Sequence, residues 1–388
     1  MEKQKNIPKL RFPEFKGEWE TKEIGEILTI GNGRDYKHLK YGNIPVFGTG
    51  GLMTKVDDYL YDGETVCIGR KGTIDKPIYF NGKIWTVDTL FYTYDYKLSS
   101  VKFIYNIFQR INWKNYNEAS GVPSLSKSTI EKIEITIPTL PEQTRIASFF
   151  TVLDQKIAEL KQKKNLLEQY KKGVMQKLFS QELRFRDENG KEFSKWKKER
   201  IKGYIDFLSG YAFKGEDISE DSTGIPLLRG ISITEGKLRR SEEIDRYYCG
   251  DTTKISKYFL KQGDIVIGMD GSKVGRNTAL VDTSFDNSLL VQRVARIRGN
   301  LKGFLPFIYH HINSYLFQRY VDEVKTSSGI PHISANQINE FKIYFPCYNE
   351  QVKIANFLSA IDEKISRTEN QIQKTQEWKK GLLQQMFV

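Results

Sequence analysis

Cysteine is scarce: 3 occur in 388 residues, at Cys67, Cys249 and Cys347, odd in number and far apart. That spacing excludes a disulfide framework and fits a reducing compartment such as the cytoplasm. No CxxC or HxxxH spacing occurs, so no structural zinc or other metal site is expected. Long apolar runs are also missing. None nears the roughly 18 residues that a membrane span needs, and the opening MEKQKNIPKL lacks the apolar centre of a secretory leader. The 11 prolines never fall in an Asn/Asp-Pro-Pro-aromatic tetrapeptide of the kind amino-methyltransferases set against a flipped base. Acidic residues are the minority charge, 48 against 60 basic, for a net charge of +12 and a pI near 9.2. Such a balance favours a polyanionic partner, nucleic acid first among them.

The chain does contain a long repeat. PEQTRIASFFTVLDQKI at residues 141–157 returns as NEQVKIANFLSAIDEKI at 349–365, 208 positions later. Ungapped alignment of Pro141–Ser180 on Asn349–Val388 gives 13 identities in 40 positions. SGVPSLS (Ser120–Ser126) falls on SGIPHIS (Ser328–Ser334) at the same offset. With gaps, LRF recurs at Leu10 and Leu183, Trp19 recurs as Trp196, IPVF at Ile44 as IPLL at Ile225, and DGETVCIGRKG (Asp62–Gly72) as QGDIVIGMDG (Gln262–Gly271). The chain is two copies of one plan, with a period far too long for a solenoid.

Each copy divides into three parts. Irregular connectors at 1–19 and 181–199 carry Pro, Gly and charge around a few aromatics. Bodies at 20–140 and 200–348 hold Gly-punctuated β-branched and aromatic runs, read as short strands of an α+β domain. A helical stretch interrupts each body late, VKFIYNIFQRI in one and LPFIYHHINSYLFQRYV in the other, where His310 and His311 are read as structural. Each body closes on an alternating strand, Ile133, Ile135 and Ile137 matching Phe341, Ile343 and Phe345.

The repeated segments, 141–180 and 349–388, have helical periodicity. Ile146, Phe150, Leu153, Ile157 and Leu160 advance by alternating steps of four and three, and the series resumes at Leu167, Val174 and Leu178. The second copy gives Ile354, Leu358, Ile361 and Ile365, then Thr368, Ile372, Thr375, Lys379, Leu382 and Met386. With no proline beyond the first turn, each segment can run as one helix of about 38 residues, roughly 57 Å at 1.5 Å per residue. One such stripe alone exposes an apolar seam, and the other copy is its natural mate. The pair forms an intramolecular coiled coil whose polar seam positions set register.

These features together resemble the specificity subunit of type I restriction-modification enzymes, systems of defence against foreign DNA. The resemblance spans essentially the whole chain. It rests on the twice-written EQ..IA.FL..D.KI, on KKG...Q..F near each helix end, and on LRFPEF.GEW, IPVFGTGG and IGRKG in order. It implies two target-recognition domains separated by two long antiparallel helices. Each domain would read one half of a split, asymmetric double-stranded DNA site, and the helices would set the gap. It also implies two DNA-adenine methyltransferase subunits as partners, which hold S-adenosylmethionine, and an endonuclease–translocase subunit in the full complex. The specificity chain itself performs no chemistry and needs no cofactor.

Arg, Lys, Asn and Gln on rigid supports read base edges, while Ser, Thr and Tyr grip phosphate. In the first body the glycine-flanked GNGRDYKHLK offers Arg34, Tyr36, Lys37 and His38, and GRKGT offers Arg70, Lys71 and Thr73. The second body offers Arg229, Arg239 and Arg240, then Lys273 and Arg276 from MDGSKVGR. Ser120 and Ser328 begin a turn present in both copies. Two bodies reading different sequences should share structural or phosphate-binding residues, so selectivity is expected where the copies differ. For any single Arg or Lys, a solvated surface charge is the competing explanation.

Two other classes stay open from sequence alone. One is a two-headed protein scaffold with a coiled-coil spacer. The other is an autonomous nuclease or methyltransferase, for which Phe47–Gly51 would be a cofactor loop and Glu323–Lys325 or Asp362–Lys364 a nuclease pair. A bare glycine cluster after a short strand reads more naturally as a turn.

Overall fold

The computed structural model describes residues 6–326 and 329–388. They form two compact units, one from the residues up to Lys164 together with Arg367–Val388, the other from Asn165–Ser366. The division does not follow the repeat along the chain, because each long helix contributes to both units.

In chain order the first unit holds β1 (Glu20–Glu23), α1 (Ile24–Ile27), β2 (Thr29–Asn32), β3 (Ile44–Gly48), β4 (Gly51–Val56), β5 (Tyr61–Gly69), β6 (Ile78–Thr86), β7 (Leu90–Tyr94), α2 (Val101–Arg110), α3 (Lys127–Glu131), β8 (Glu134–Ile137) and the start of α4 (Leu140–Phe179). One sheet runs β2-β7-β5-β6-β3-β4, and β1 pairs antiparallel with β8. The Thr49–Gly50 segment is the turn of the β3–β4 hairpin, so the glycine cluster there is a turn. Val66 and Ile68 of β5 pack with Phe103, Ile104 and Phe108 of α2 and with Ile146 and Phe150 of α4. Cys67 lies in the same strand, and burial pushes its thiol up to about 12, which keeps it unreactive.

The second unit follows with β9 (Lys197–Arg200), β10 (Ile205–Ser209), β11 (Ile218–Ser219), β12 (Ile225–Leu228), β13 (Tyr247–Tyr248), β14 (Ile265–Gly268), β15 (Thr278–Leu280), β16 (Leu289–Leu290), β17 (Val294–Gly299), α5 (Leu305–Ile312), α6 (Tyr315–Val324), α7 (Ala335–Glu340), β18 (Lys342–Phe345) and α8 (Tyr348–Gln385). Its strands split into β10-β17-β14-β15 and β11-β13-β12-β16, with β18 antiparallel to β9. The matched IPVF and IPLL play one part in both units: β3 runs parallel to β6, and β12 parallel to β16. The single helical stretch read at 305–321 is two helices. Ser314 ends the first and starts the second, its Oγ donating to His311 O at 2.6 Å and accepting from Phe317 N at 3.4 Å.

The repeated residues repeat their contacts. Glu142, 1% exposed, receives Arg11 Nε and Nη2, each at 2.7 Å, and Glu350 receives Arg184 Nε and Nη2 at 3.2 and 2.8 Å. This explains the repeated LRF, whose arginine partners the helix-entry glutamate. Gln143 accepts from Ser100 N and donates to Leu98 O and Pro138 O; Gln351 accepts from Phe304 N and donates to Lys302 O and Pro346 O. Each glutamine thus satisfies three backbone groups where a body meets its helix.

The helices are 40 and 38 residues long. In the first unit Ile146, Phe150, Leu153, Ile157 and Leu160 of α4 are buried, as are Ile372 and Leu382 of α8. There Asp154 pairs with Lys379, and ten residues further along α4 Lys164 meets Glu369, ten residues back along α8, so the two run antiparallel. In the second unit Ile354, Leu358 and Ile361 are buried, Leu167 and Ile365 half-buried, and Lys171 pairs with Asp362. Asp362 is therefore committed to Lys171, and Glu323 to Arg319 at 2.9 Å. Among the described residues, no helix is long and apolar enough to cross a membrane.

Candidate nucleic-acid interface

In the first unit several loops converge on the turn between β6 and β7. Arg34 N donates to Thr86 O at 2.8 Å and Arg70 N to Thr89 O at 2.8 Å. The β2–β3 loop is held from below by Trp85, whose Nε1 donates to Arg34 O at 2.9 Å and whose ring meets His38 edge-on at 5.8 Å. Tyr36 packs half-buried against the Val46–Trp85 cluster, so it props the loop, while Arg34, Lys37 and His38 remain exposed.

Arg70 is exposed, its Nη1 3.3 Å from Asp88 O and its guanidinium 5.9 Å from the centre of the Phe91 ring. Lys71 beside it is exposed and Thr73 half-buried. Gly72 has φ +95° and its N donates to Pro123 O at 2.8 Å, while Leu125 N donates to Arg70 O at 2.8 Å. The loop of Arg70 and Lys71 is thereby fixed beside the exposed turn of Ser120. The copies repeat this arrangement. Gly271, φ +91°, donates through its N to Pro331 O at 3.0 Å, and Ile333 N donates to Met269 O at 2.9 Å. Only glycine takes this backbone cheaply, so both copies keep it there.

The second unit spends more of its cations internally. Arg229 is half-buried and its Nη1 donates to Ile244 O at 3.1 Å; Arg239 Nε donates to Ile231 O at 2.9 Å. Arg240 lies 4.2 Å over the Phe285 ring and donates to Ser284 O, which fixes it as a local brace. Lys273 pairs with Glu235 at 3.0 Å and Arg276 with Asp322 at 3.7 Å, both cations at least half-exposed. Ser328 lies outside the described residues.

One exposed cation escaped the sequence reasoning. Arg293 precedes β17 at φ +65°, its side chain is 65% exposed, and its Nη1 sits 3.0 Å from Asp270. Met269 N donates to Arg293 O at 2.9 Å, the bond that Arg70 N makes to Thr89 O in the first unit. No glycine or motif flanks Arg293, so only the equivalence of the two loops exposes it. The surfaces thus present Arg34, Lys37, Arg70 and Lys71 in one unit and Lys273, Arg276 and Arg293 in the other, on backbone held by hydrogen bonds. Such groups can accept phosphate and base edges and form no nucleophile–base pair.

Comparison with known proteins agrees with this layout. The sequence profile described as Type I restriction modification DNA specificity domain matches twice, over residues 16–169 and 193–376. The MjaVIII type I restriction enzyme specificity subunit of Methanocaldococcus jannaschii is 25% identical over 336 residues, covering 84% of this chain and 76% of that protein. The EcoAI specificity subunit of Escherichia coli is 30% identical over 173 residues, 44% of this chain and 28% of its own length. Among solved structures, the type I restriction-modification S subunit from M. genitalium shares the fold with a TM-score of 0.67 at 16% identity, covering 98% and 99% of the two chains.

Proposed function

Since the chain belongs to the type I restriction-modification DNA specificity family, we propose that its two units read the two halves of one split double-stranded DNA site. The observation that carries this is the duplication itself: each unit holds the same glycine loop, tied to Pro123 in one and Pro331 in the other, but with different exposed side chains around it. Equal scaffolds with unlike side chains suit an asymmetric site. The net charge of +12 supplies the sequence-independent attraction.

In this reading α4 and α8 set the unspecified gap, and the repeated surfaces hold two copies of a DNA-adenine methyltransferase subunit, which carries S-adenosylmethionine. An endonuclease–translocase subunit joins the full complex. This chain contributes recognition and no catalysis, and it works in the cytoplasm.

Seven residues inserted after Lys164 and seven before Glu369 preserve the seam on both helices. They lengthen each by about 10 Å, close to three base pairs of DNA. The expected result, with the partner subunits present, is a gap longer by about three base pairs and unchanged half-sites. A changed half-site, or an unchanged gap in a folded complex, would refute the assignment.

A further inference from the structure

Among the described residues, the segments before Ser124 and before His332 are held at their bases by matching backbone bonds. In the first, Glu118 N donates to Ser124 O at 3.0 Å, and Asn117 Oδ1 accepts from Ser124 N at 2.9 Å. In the second, Thr326 N donates to His332 O at 3.1 Å, and Thr326 Oγ1 accepts from His332 N at 3.1 Å. The first loop is braced further at its base, where Glu118 accepts from Ser126 and Thr129, bonds that hold its carboxyl below the usual carboxylate range. Each loop is also tied to its glycine loop through Pro123 or Pro331.

At the residue before that proline, each loop presents a β-branched aliphatic side chain to solvent. Val122 is 56% exposed and Ile330 65% exposed. A single exposed apolar side chain is ordinary. Two at equivalent positions, each beside a proline whose carbonyl is held by its glycine loop, are not explained by packing, since neither side chain is needed to bury its own core.

Resting on the reading that the units bind DNA, we propose that Val122 and Ile330 are matched apolar contacts to the DNA, one for each half-site, which add affinity without choosing bases. The neighbouring charges favour DNA over a protein face. Exposed Arg70 and Lys71 adjoin the first loop through Leu125 N and Gly72 N. Arg293 adjoins the second through Asp270, which bridges to His332. An apolar tip beside a cation fits a groove wall, where deoxyribose and base edges lie between phosphates. The rest of the first tip, Ser120, Gly121 and Ser124, is polar or bare, and one aliphatic side chain is far below the roughly 800 Å² per partner of a standard protein interface. Because Val and Ile are near equivalents while the surrounding loops differ, their contact must be one that every half-site offers.

The test uses the full chain assembled with its methyltransferase subunits, titrated with duplexes carrying both half-sites or one scrambled half. Val122→Ala and Ile330→Ala should each weaken binding about 5- to 20-fold, and the double variant about the product. The selected sequence should be unchanged, as should the slope of affinity against salt, because no phosphate contact is lost. Val122→Thr, nearly the same shape, should lose less than Val122→Asp. Thermal midpoints equal to the unsubstituted chain's should accompany all of these, the side chains being exposed. Unchanged affinity overturns the proposal. So does an altered selected sequence, which would make these residues base readers, or reduced recovery of the methyltransferase subunits, which would make them a protein contact. Failure of the unsubstituted complex to select any split site would instead remove the DNA reading on which the proposal stands.

Discussion

Lys379 Nζ lies 2.7 and 2.9 Å from the two carboxylate oxygens of Asp154, and its equivalent, Lys171, lies 2.6 and 2.7 Å from those of Asp362. The lysine of each copy meets the aspartate of the other, so one repeated sequence supplies both sides of both pairs. Two helices written alike can satisfy each other this way only when they run antiparallel.

Asp154→Ala should destabilise the first unit by about 1–2 kcal/mol. It leaves the Lys379 ammonium, with 11% side-chain exposure, facing Gln109 alone, but the aspartate is 43% exposed, so water offsets part of the full cost of a broken buried pair. Exchanging the charges, Asp154→Lys with Lys379→Asp, should recover most of the loss. Urea unfolding checks both, and an exchange no more stable than the single variant would contradict the pairing.

The two arginine clamps should differ in strength. Glu350 accepts from Trp196 Nε1 at 2.9 Å as well as from Arg184, whereas the indole N–H of Trp19 has no hydrogen-bond partner among the described residues. Glu350→Ala strands an indole donor in addition to a guanidinium, so it should cost about 1 kcal/mol more than Glu142→Ala. Equal losses in thermal unfolding would show that the indole bond adds nothing.

Much of this frame was legible because a duplicated sequence tests itself. The steps of four and three found the seam, and the matched Pro138 and Pro346 marked where each body stops. The repeated LRF was visible, yet its role was not, because Arg11 and Glu142 are 131 residues apart and only folding joins them. The division of α5 from α6 was hidden because LPFIYHHINSYLFQRYV keeps helical periodicity across Ser314, whose capping bonds are tertiary detail. The loops yielded least. Glycine flanks pointed to exposed turns at Arg34 and Arg70, whereas Arg240, in the basic run KLRR, is braced on Phe285. Periodicity carries no information about which guanidinium finds an internal carbonyl.

Acid should weaken the second unit through α5. Burial pushes both His310 and His311 down to about 3, helped for His310 by the Lys171 cation and for His311 by His310. Asp362 lies 3.8 Å from His310 Nδ1 but is already neutralised by Lys171, so His310 stays uncharged. The unfolded chain takes up these protons near pH 6.5 and the folded chain only near 3. Stability is therefore full above pH 6.5 and declines as pH falls from there, by up to about 1.4 kcal/mol per pH unit for each histidine. His311→Ile, copying Ile107 of the first unit, should flatten the decline measured by urea unfolding between pH 7 and 4.5. The same slope in the variant would contradict a neutral buried His311.

Arg70→Ala and Lys71→Ala should weaken DNA binding by the assembled complex and act on the first half-site alone. If either contacts phosphate, the log–log salt slope should fall by about one. If Arg70 reads a base, selectivity at one position of that half-site should relax, at a cost of about 1–3 kcal/mol. Competition titrations at several salt concentrations separate the two, and loss confined to the second half-site would contradict the placement.

The most direct measurement is single-molecule sequencing of DNA from cells that express the methyltransferase subunit with and without this chain. The account predicts modified adenines in one split motif, with two unlike halves and a fixed gap, present only when the chain is supplied. Modification that is independent of the chain, or that falls in an unbroken motif, would contradict it.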